Sequence, residues 1–187
     1  MKLPLLKESI KNALVIQRQS YEYFIHPLTD GIPQINPRLL DEVTQEFAER
    51  LALIDHVETL VTVEAMGLPI TTAVSQKTGI PFTVIRKRQY HLPDEITVTQ
   101  HTGYDTTTLS VNGIHKDDSV VFIDDVLSTT GTIRAVLSAI KEKKAVCKNA
   151  LILINKSPHA APSMYIEETL VESLLCIKIV DGKILIQ

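Results

Sequence analysis

Two hydrophobic periods divide the chain. Apolar positions over residues 3–14 recur at helical spacing and predict a short amphipathic helix. Gln17 to Pro33 is polar and aromatic, with TDGIP (29–33) reading as a turn. Asn36 then has the chemistry of an N-cap, with Pro37 at the first helical position. Leu39, Leu40, Val43, Phe47 and Leu51 keep helical spacing and predict a helix over 37–53. Beyond it the apolar runs shorten. LVTV (60–63) predicts a strand, and Gly67 and Pro69 open a helix that Gly79 ends. PFTVIRKR (81–88) predicts a strand with a basic cluster at its end, and the alternating, Thr- and Val-rich residues 95–112 predict a hairpin or long flap. VVFID (120–124) reads as a fully buried strand. A helix over about 132–143, a strand ALILIN (150–155), an apolar stretch LLCIKIV (174–180), a DG turn and KILIQ complete the pattern.

The alternation of strands and helices specifies an α/β fold, a parallel sheet flanked by helices. Ligands of such sheets bind beyond the carboxyl ends of the strands. Three predicted strand ends carry chemistry: Glu64 to Gly67, Arg86 to Arg88, and Asp124 with Asp125.

Composition narrows the picture. A chain of 187 residues suits a single domain, 1–187, and buries about 70% of its unfolded surface without a disulfide or structural metal. Cys147 and Cys176 are far apart, fit no metal spacing and read as buried cytosolic thiols. Basic residues number 19 and acidic ones 22, a net charge of −3, so no global field gathers nucleic acid. No apolar run approaches the ~18 residues of a membrane span, and MKLPLLKESIKN lacks the apolar core of a signal peptide. A cytoplasmic protein, with no nucleic-acid or membrane partner, is expected.

VVFIDDVLSTTGT (120–132) carries the most chemistry. A buried strand ends in two carboxylates, and small hydroxyl or glycine residues lead into a helix. Unsatisfied N–H groups and the dipole at a helix start favour an anion. Ser128, Thr129, Thr130 and Thr132 add hydroxyl donors, and Gly131 permits close approach, which together predict a phosphate cradle. It is not the nucleotide P-loop, which needs GxxxxGK[ST]. Asp124 and Asp125 are positioned to accept from a sugar diol or to hold Mg²⁺ indirectly.

A hydrophobic strand, two acids and a small-residue phosphate loop resemble the type I phosphoribosyltransferases. EAMG (64–67), TGIPFTVIRKR (78–88), HLPDE (91–95), HTGY (101–104) and TDGIP (29–33) extend the likeness to the archaeal hypoxanthine/guanine group, itself similar to adenine phosphoribosyltransferases. The resemblance spans about residues 20–156. It implies transfer of phosphoribosyl from phosphoribosyl pyrophosphate to a purine, with Mg²⁺, in a homodimer.

The resemblance also implies roles. Asp124 and Asp125 serve the ribose and the cationic centre, and 128–132 holds the 5-phosphate. Ala65, Met66, Gly67, Arg86 and Lys87 serve the pyrophosphate. Tyr104 belongs to a flexible flap over about 89–108, which keeps water out and places His91 and His101 near phosphate. A hood from about 1–35 and 156–187 covers the base, with Asn155 and Lys156 as purine ligands. A lysine there favours a 6-oxopurine, because an ammonium only donates. Four positions depart from the related patterns. Thr130 replaces a small residue, and a β-branched side chain disfavours positive φ. Ser128 and Gly103 stand where relatives carry acids, and Met66 replaces the Arg of adenine enzymes. Adenine transfer, or a non-catalytic ligand-sensing regulator, are the alternatives.

Overall fold

The computed structural model describes residues 2–18, 21–101 and 106–187. Helix α1 (Pro4–Lys11) buries Leu6 and Ile10. It is shorter than its apolar period implies, because the chain turns into strand β1 (Leu14–Arg18), which pairs antiparallel with β2 (Tyr21–Ile25). This ribbon lies in the stretch that reads as a polar connection. Its stabilising pairs, Val15 with Phe24 and Ile16 with Tyr23, are β-branched against aromatic, and interleaved Gln and Glu residues hide their period of two. The turn expected at 29–33 overlaps the end of α2 (Pro27–Asp30), which Gly31 closes at φ 69°. Helix α3 (Pro37–Leu51) starts where the Asn36 cap predicts, with Asn36 Oδ1 accepting from the Arg38 N–H at 2.9 Å.

The remaining elements are β3 (Thr59–Val63), α4 (Gly67–Thr78), β4 (Phe82–Ile85), β5 (Ile96–His101), β6 (Thr106–Val111) and β7 (Ser119–Leu127). After them come α5 (Gly131–Glu142), β8 (Val146–Asn155), β9 (Ser163–Ile166), β10 (Thr169–Val180) and β11 (Lys183–Ile186). Among the described residues the main sheet runs in the order β11-β10-β8-β7-β3-β4, with β9 paired to β10. Its central pairings, β10 with β8, β8 with β7, β7 with β3 and β3 with β4, are all parallel. Helices and the β5–β6 hairpin complete the mixed α/β architecture.

Several strands outrun their apolar runs. β7 continues three residues past Asp124 because β8 stays paired with it to Leu127↔Asn155. β8 begins at Val146, where alternating exposure and the polar Lys148 and Asn149 masked it. β10 starts at Thr169 because β9 folds back on it. β4 is shorter than the 81–88 reading, and Arg86 makes only an isolated bridge to Ser110.

Two cores sandwich the sheet. On one face Val121 and Ile123 of β7 pack with residues of α1, α3 and α4. On the other, Val120 and Phe122 pack with α5 and with Leu109 and Val111 of β6. The base of the 95–112 hairpin is thus part of the core. The Gly182 N–H donates to Glu22 at 2.7 Å, tying the β1–β2 ribbon to the C-terminal strands.

Candidate active site

β7 pairs with β3 only through Val61↔Phe122, yet continues to Leu127 on its β8 side. Its β3-side edge is open where the two acids stand. The 64–67 turn fills that edge, with the Glu64–Ala65 peptide cis. Gly67 is required there by close approach. A Cβ on it would meet Thr62 Oγ1 at 2.1 Å, Asp124 Oδ1 at 3.2 Å and the Ile123 carbonyl at 3.3 Å.

The residues from three strand ends line one cleft of about 160 Å³: Glu64, Ala65, Lys87, Gln100, Asp124, Asp125 and Thr132 among them. Larger hollows lie elsewhere; this one is distinguished by the buried Asp124 beside the start of α5. Asp124 is only 8% exposed, and its Oδ1 accepts the Asp125 N–H at 3.0 Å. Burial, then the neighbouring Asp125 charge, pushes its carboxyl well above the ordinary range. Burial likewise pushes Asp125 up to about 6, and Asp30 adds to the rise.

The flanking groups are held by networks. Glu64 Oε2 accepts from Arg86 Nε at 2.8 Å, and its Oε1 accepts the Lys87 N–H at 2.6 Å. One carboxylate therefore fixes the 64–67 turn to the basic strand end. The sequence places Glu64 at a strand end that carries chemistry but assigns it no role; the structure shows it holding Arg86 and Lys87 in place. Gln100 Nε2 donates to Thr132 Oγ1 at 2.6 Å, fastening β5 to the start of α5.

α5 begins at Gly131 with Thr130 as N-cap, and no side chain caps it. Its first N–H groups are therefore oriented for an anion. Thr130 lies at φ −84°, ψ 4°, outside the positive-φ region. The expectation that a β-branched residue strains this loop is corrected: the bend is made at ordinary φ. The Thr130 hydroxyl accepts from Arg134 Nε at 3.1 Å.

α2 packs near β7, and Lys156 lies off this cleft, lining a separate hollow of about 360 Å³ with Tyr21, Glu22 and Ser157. The Lys156 N–H donates to the Leu127 carbonyl at 2.8 Å, pinning it to the end of β7. Its Nζ lies over the rings of Tyr21, Tyr23 and Phe24 at 4.5, 5.1 and 5.4 Å. Burial lowers its pKa to about 8, and Asp30 counteracts. Asn155 is not brought to this cleft. It is fully buried, its amide donating to the Ala161 carbonyl at 3.3 Å and its Oδ1 accepting the Ser157 N–H at 3.0 Å. Tyr104 lies outside the described residues.

Among the described residues no three His, Cys, Asp or Glu side chains gather to hold a metal unaided. Asp124 and Asp125 fit a hard cation that takes most of its oxygens from a bound phosphate ligand. Uncapped helix start, paired acids and cationic strand end stand together at the carboxyl ends of a parallel sheet, the place where ligands of the α/β class bind.

Comparisons agree with that class. The family described as phosphoribosyl transferase domain matches residues 34–173. The chain belongs to that family. It is 44% identical to a hypoxanthine/guanine phosphoribosyltransferase of Aciduliprofundum boonei, over 97% of this chain and 98% of that one. It is also 44% identical to one from Methanohalophilus mahii, covering 82% of this chain and 80% of that one. Among solved structures, an adenine phosphoribosyltransferase from Thermoanaerobacter pseudethanolicus superimposes with a TM-score of 0.73 at 17% identity, covering 95% of this chain and 99% of that one. The fold is thus the type I phosphoribosyltransferase fold expected from the sequence.

Proposed function

We propose that this chain is a purine-salvage phosphoribosyltransferase that moves phosphoribosyl from phosphoribosyl pyrophosphate to hypoxanthine or guanine, giving the nucleotide and pyrophosphate. The observation that carries the reading is the buried Asp124 with its half-buried neighbour Asp125 beside the uncapped start of α5, in one cleft with Lys87. The archaeal relatives that bear the hypoxanthine/guanine name support the substrate.

In this reading the first N–H groups of α5 and the hydroxyls of 128–132 bind the 5-phosphate. Ala65, Met66 and Gly67 offer backbone to the pyrophosphate, and Arg86 and Lys87 offer charge. The bond from C1 of the ribose to the pyrophosphate oxygen breaks, and the bond to the purine nitrogen forms, with loss of the purine proton. Positive charge develops on the sugar as in glycoside hydrolysis. Asp124 and Asp125 stabilise it electrostatically. Asp124 and Asp125 would help hold Mg²⁺ brought with the substrate, and the ion would neutralise charge on the leaving pyrophosphate.

Lys156 serves as donor to the purine 6-oxo group. The segment 89–108 serves as a flap that excludes water. The hood is formed from about 1–35 and 156–187. A homodimer in the cytoplasm completes the proposal; no helix among the described residues is long and apolar enough to cross a membrane. The ordinary φ of Thr130 removes the strain that would favour a catalytically silent regulator.

A panel of hypoxanthine, guanine, adenine and xanthine, each with phosphoribosyl pyrophosphate and Mg²⁺, tests the reading by nucleotide formation and pyrophosphate release. Turnover of hypoxanthine or guanine is expected. Turnover of adenine alone would overturn the substrate, and none at all would overturn the enzyme.

A further inference from the structure

Lys156 accounts for only one atom of a purine's pairing edge. A 6-oxopurine presents an acceptor at O6 and, beside it, a donor at N1; adenine presents a donor at the 6-amino group and an acceptor at N1. A site that separates the two strongly needs a donor and an acceptor side by side, because each mismatch leaves a polar group unpaired.

Asp30 occupies the place such an acceptor needs. It ends α2, and its neighbour Gly31 lies against the 64–67 turn, where a Cβ on Gly31 would meet Met66 Cε at 3.9 Å. It acts electrostatically on both Asp125 and Lys156, the groups on either side of the base position in the proposed reading. Tyr23 joins it to Lys156: the ring lies under the ammonium at 5.1 Å, and the hydroxyl donates to Asp30 Oδ1 at 2.7 Å. The other oxygen is spoken for. Asp30 Oδ2 accepts the His26 N–H at 3.0 Å and the Thr29 hydroxyl at 2.6 Å. A carboxylate offers about four acceptor positions, two on each oxygen. With Oδ2 doubly engaged and Oδ1 singly engaged, one acceptor position remains, on the Oδ1 side.

The rigidity of this carboxylate has a traceable source. His26 caps α2 through Nδ1, which accepts the Leu28 N–H at 3.2 Å. Nε2 therefore carries the proton and donates to Ser9 Oγ at 2.8 Å, anchoring α2 to α1. Burial keeps that imidazole neutral, with a pKa of about 4.

We propose that Asp30 is a specificity-determining residue of the base site, accepting the N1–H of a 6-oxopurine through Oδ1 while Lys156 donates to O6. The proposal rests on the purine-transfer reading above. It explains rejection of adenine twice over, since adenine N1 would set a lone pair against the carboxylate.

Asp30→Asn tests it sharply, because the neighbours dictate how the amide sits. The His26 N–H and the Thr29 hydroxyl require an oxygen at the Oδ2 position, so the new NH₂ takes the Oδ1 position; the Tyr23 hydroxyl, which donates there in the wild type, turns to accept one of its hydrogens, and the other faces the base. That group donates, which suits adenine N1 and opposes a 6-oxopurine N1–H. The adenine-to-hypoxanthine ratio of kcat/KM is expected to rise by about 100-fold, with the KM for phosphoribosyl pyrophosphate unchanged. Equal losses on both bases would show that Asp30 only holds α2 in place, and an unchanged ratio would show that it does not read N1; either overturns the proposal. A second arm needs no variant. Wild-type protein, with phosphoribosyl pyrophosphate and Mg²⁺, is offered hypoxanthine and 1-methylhypoxanthine, which keeps O6 but lacks the N1 donor. Strong preference for hypoxanthine is expected; equal use of the two overturns the assignment of Asp30 while leaving purine transfer intact. Failure of wild type on every 6-oxopurine would instead remove the functional reading, and the proposal with it.

Discussion

Two acid centres flank this cleft, and they are built on opposite plans. Asp30 is surrounded by donors: Tyr23, Thr29 and the His26 N–H hold both of its oxygens. Asp124 and Asp125 sit in the centre of the sheet, where burial raises both pKa values, the Asp125 charge raises that of Asp124 further, and Asp30 adds to the rise at Asp125. The first carboxylate is solvated by the protein and fixed in direction. The second pair is left electrostatically unsatisfied, which is a cost in stability that only a ligand can relieve. Such local disagreement between structure and electrostatics is characteristic of functional positions.

The contrast breaks most visibly at the pair. Asp124→Asn and Asp125→Asn, made separately, are expected to lower kcat by about 100-fold or more. At neutral pH each should leave the melting temperature unchanged or raise it, since one buried charge is removed. Kinetics near wild type in both variants would overturn the role. The sign of the pH effect follows from the raised pKa. The folded state keeps the Asp125 proton up to about pH 6, whereas an unfolded aspartate releases it near 3.9. Stability from this group is therefore fully present below about pH 4 and is lost as pH rises through 6. Comparing melts of wild type and Asp125→Asn from pH 4 to 7 should isolate that loss; a wild-type curve no steeper than the variant's would contradict it.

The two centres also differ in how readily a sequence discloses them. Asp124, Asp125 and 128–132 are consecutive, and a buried apolar run followed by acids and small residues announces a strand, a bend and a helix start. Local chemistry sufficed there, as it did for Asn36 and α3. The base side is assembled from segments far apart in the chain. Tyr21, Tyr23 and Phe24 meet Lys156 only because a ribbon at one end packs beside the end of β7. No periodicity in 17–33 revealed that ribbon, since Gln17 and Glu22 interrupt its apolar face. Lys156 was legible from its place after a strand, but its aromatic setting and Asp30 were not. Asn155, one residue away, shows the limit of position alone: its side chain turns into the 155–164 connection.

A smaller effect is expected on the base side. Lys156→Met should reduce kcat/KM for hypoxanthine by about 10- to 100-fold, the scale of one hydrogen bond to a charged group. Adenine use should change little. The folded pKa of about 8 lies below the ordinary 10.5, so the charged lysine weakens the fold below pH 8, and that penalty fades as pH rises toward 10.5. The variant should accordingly melt no lower than wild type at pH 7. Full hypoxanthine activity in Lys156→Met would remove this residue from the base site.

Gly67 tests the packing beneath the acids. Gly67→Ala places a methyl 2.1 Å from Thr62 Oγ1 and 3.2 Å from Asp124 Oδ1. Overpacking of this kind costs about 1–3 kcal/mol. Denaturant unfolding should show that loss together with weaker binding of phosphoribosyl pyrophosphate. Unaltered stability would mean that the 64–67 turn moves freely away from β7.

The mildest change probes the phosphate side, where sequence and structure disagreed. If Thr130 were strained, Thr130→Gly would stabilise the fold and tighten phosphate binding. At φ −84° and ψ 4° there is no strain to release, and the threonine hydroxyl accepts from Arg134 Nε at 3.1 Å. Glycine removes that contact and adds backbone freedom to the unfolded chain, worth about 0.5–1 kcal/mol. For a chain of this length the melting temperature should fall by about 2–4 °C or less. The KM for phosphoribosyl pyrophosphate should rise only slightly, because one loop hydroxyl is lost while the backbone N–H groups at the start of α5, the main phosphate donors in the proposed reading, are kept. A rise in melting temperature, or tighter binding, would show that this loop carries strain after all, and would move Thr130 from the satisfied side of the comparison to the side of the paired acids.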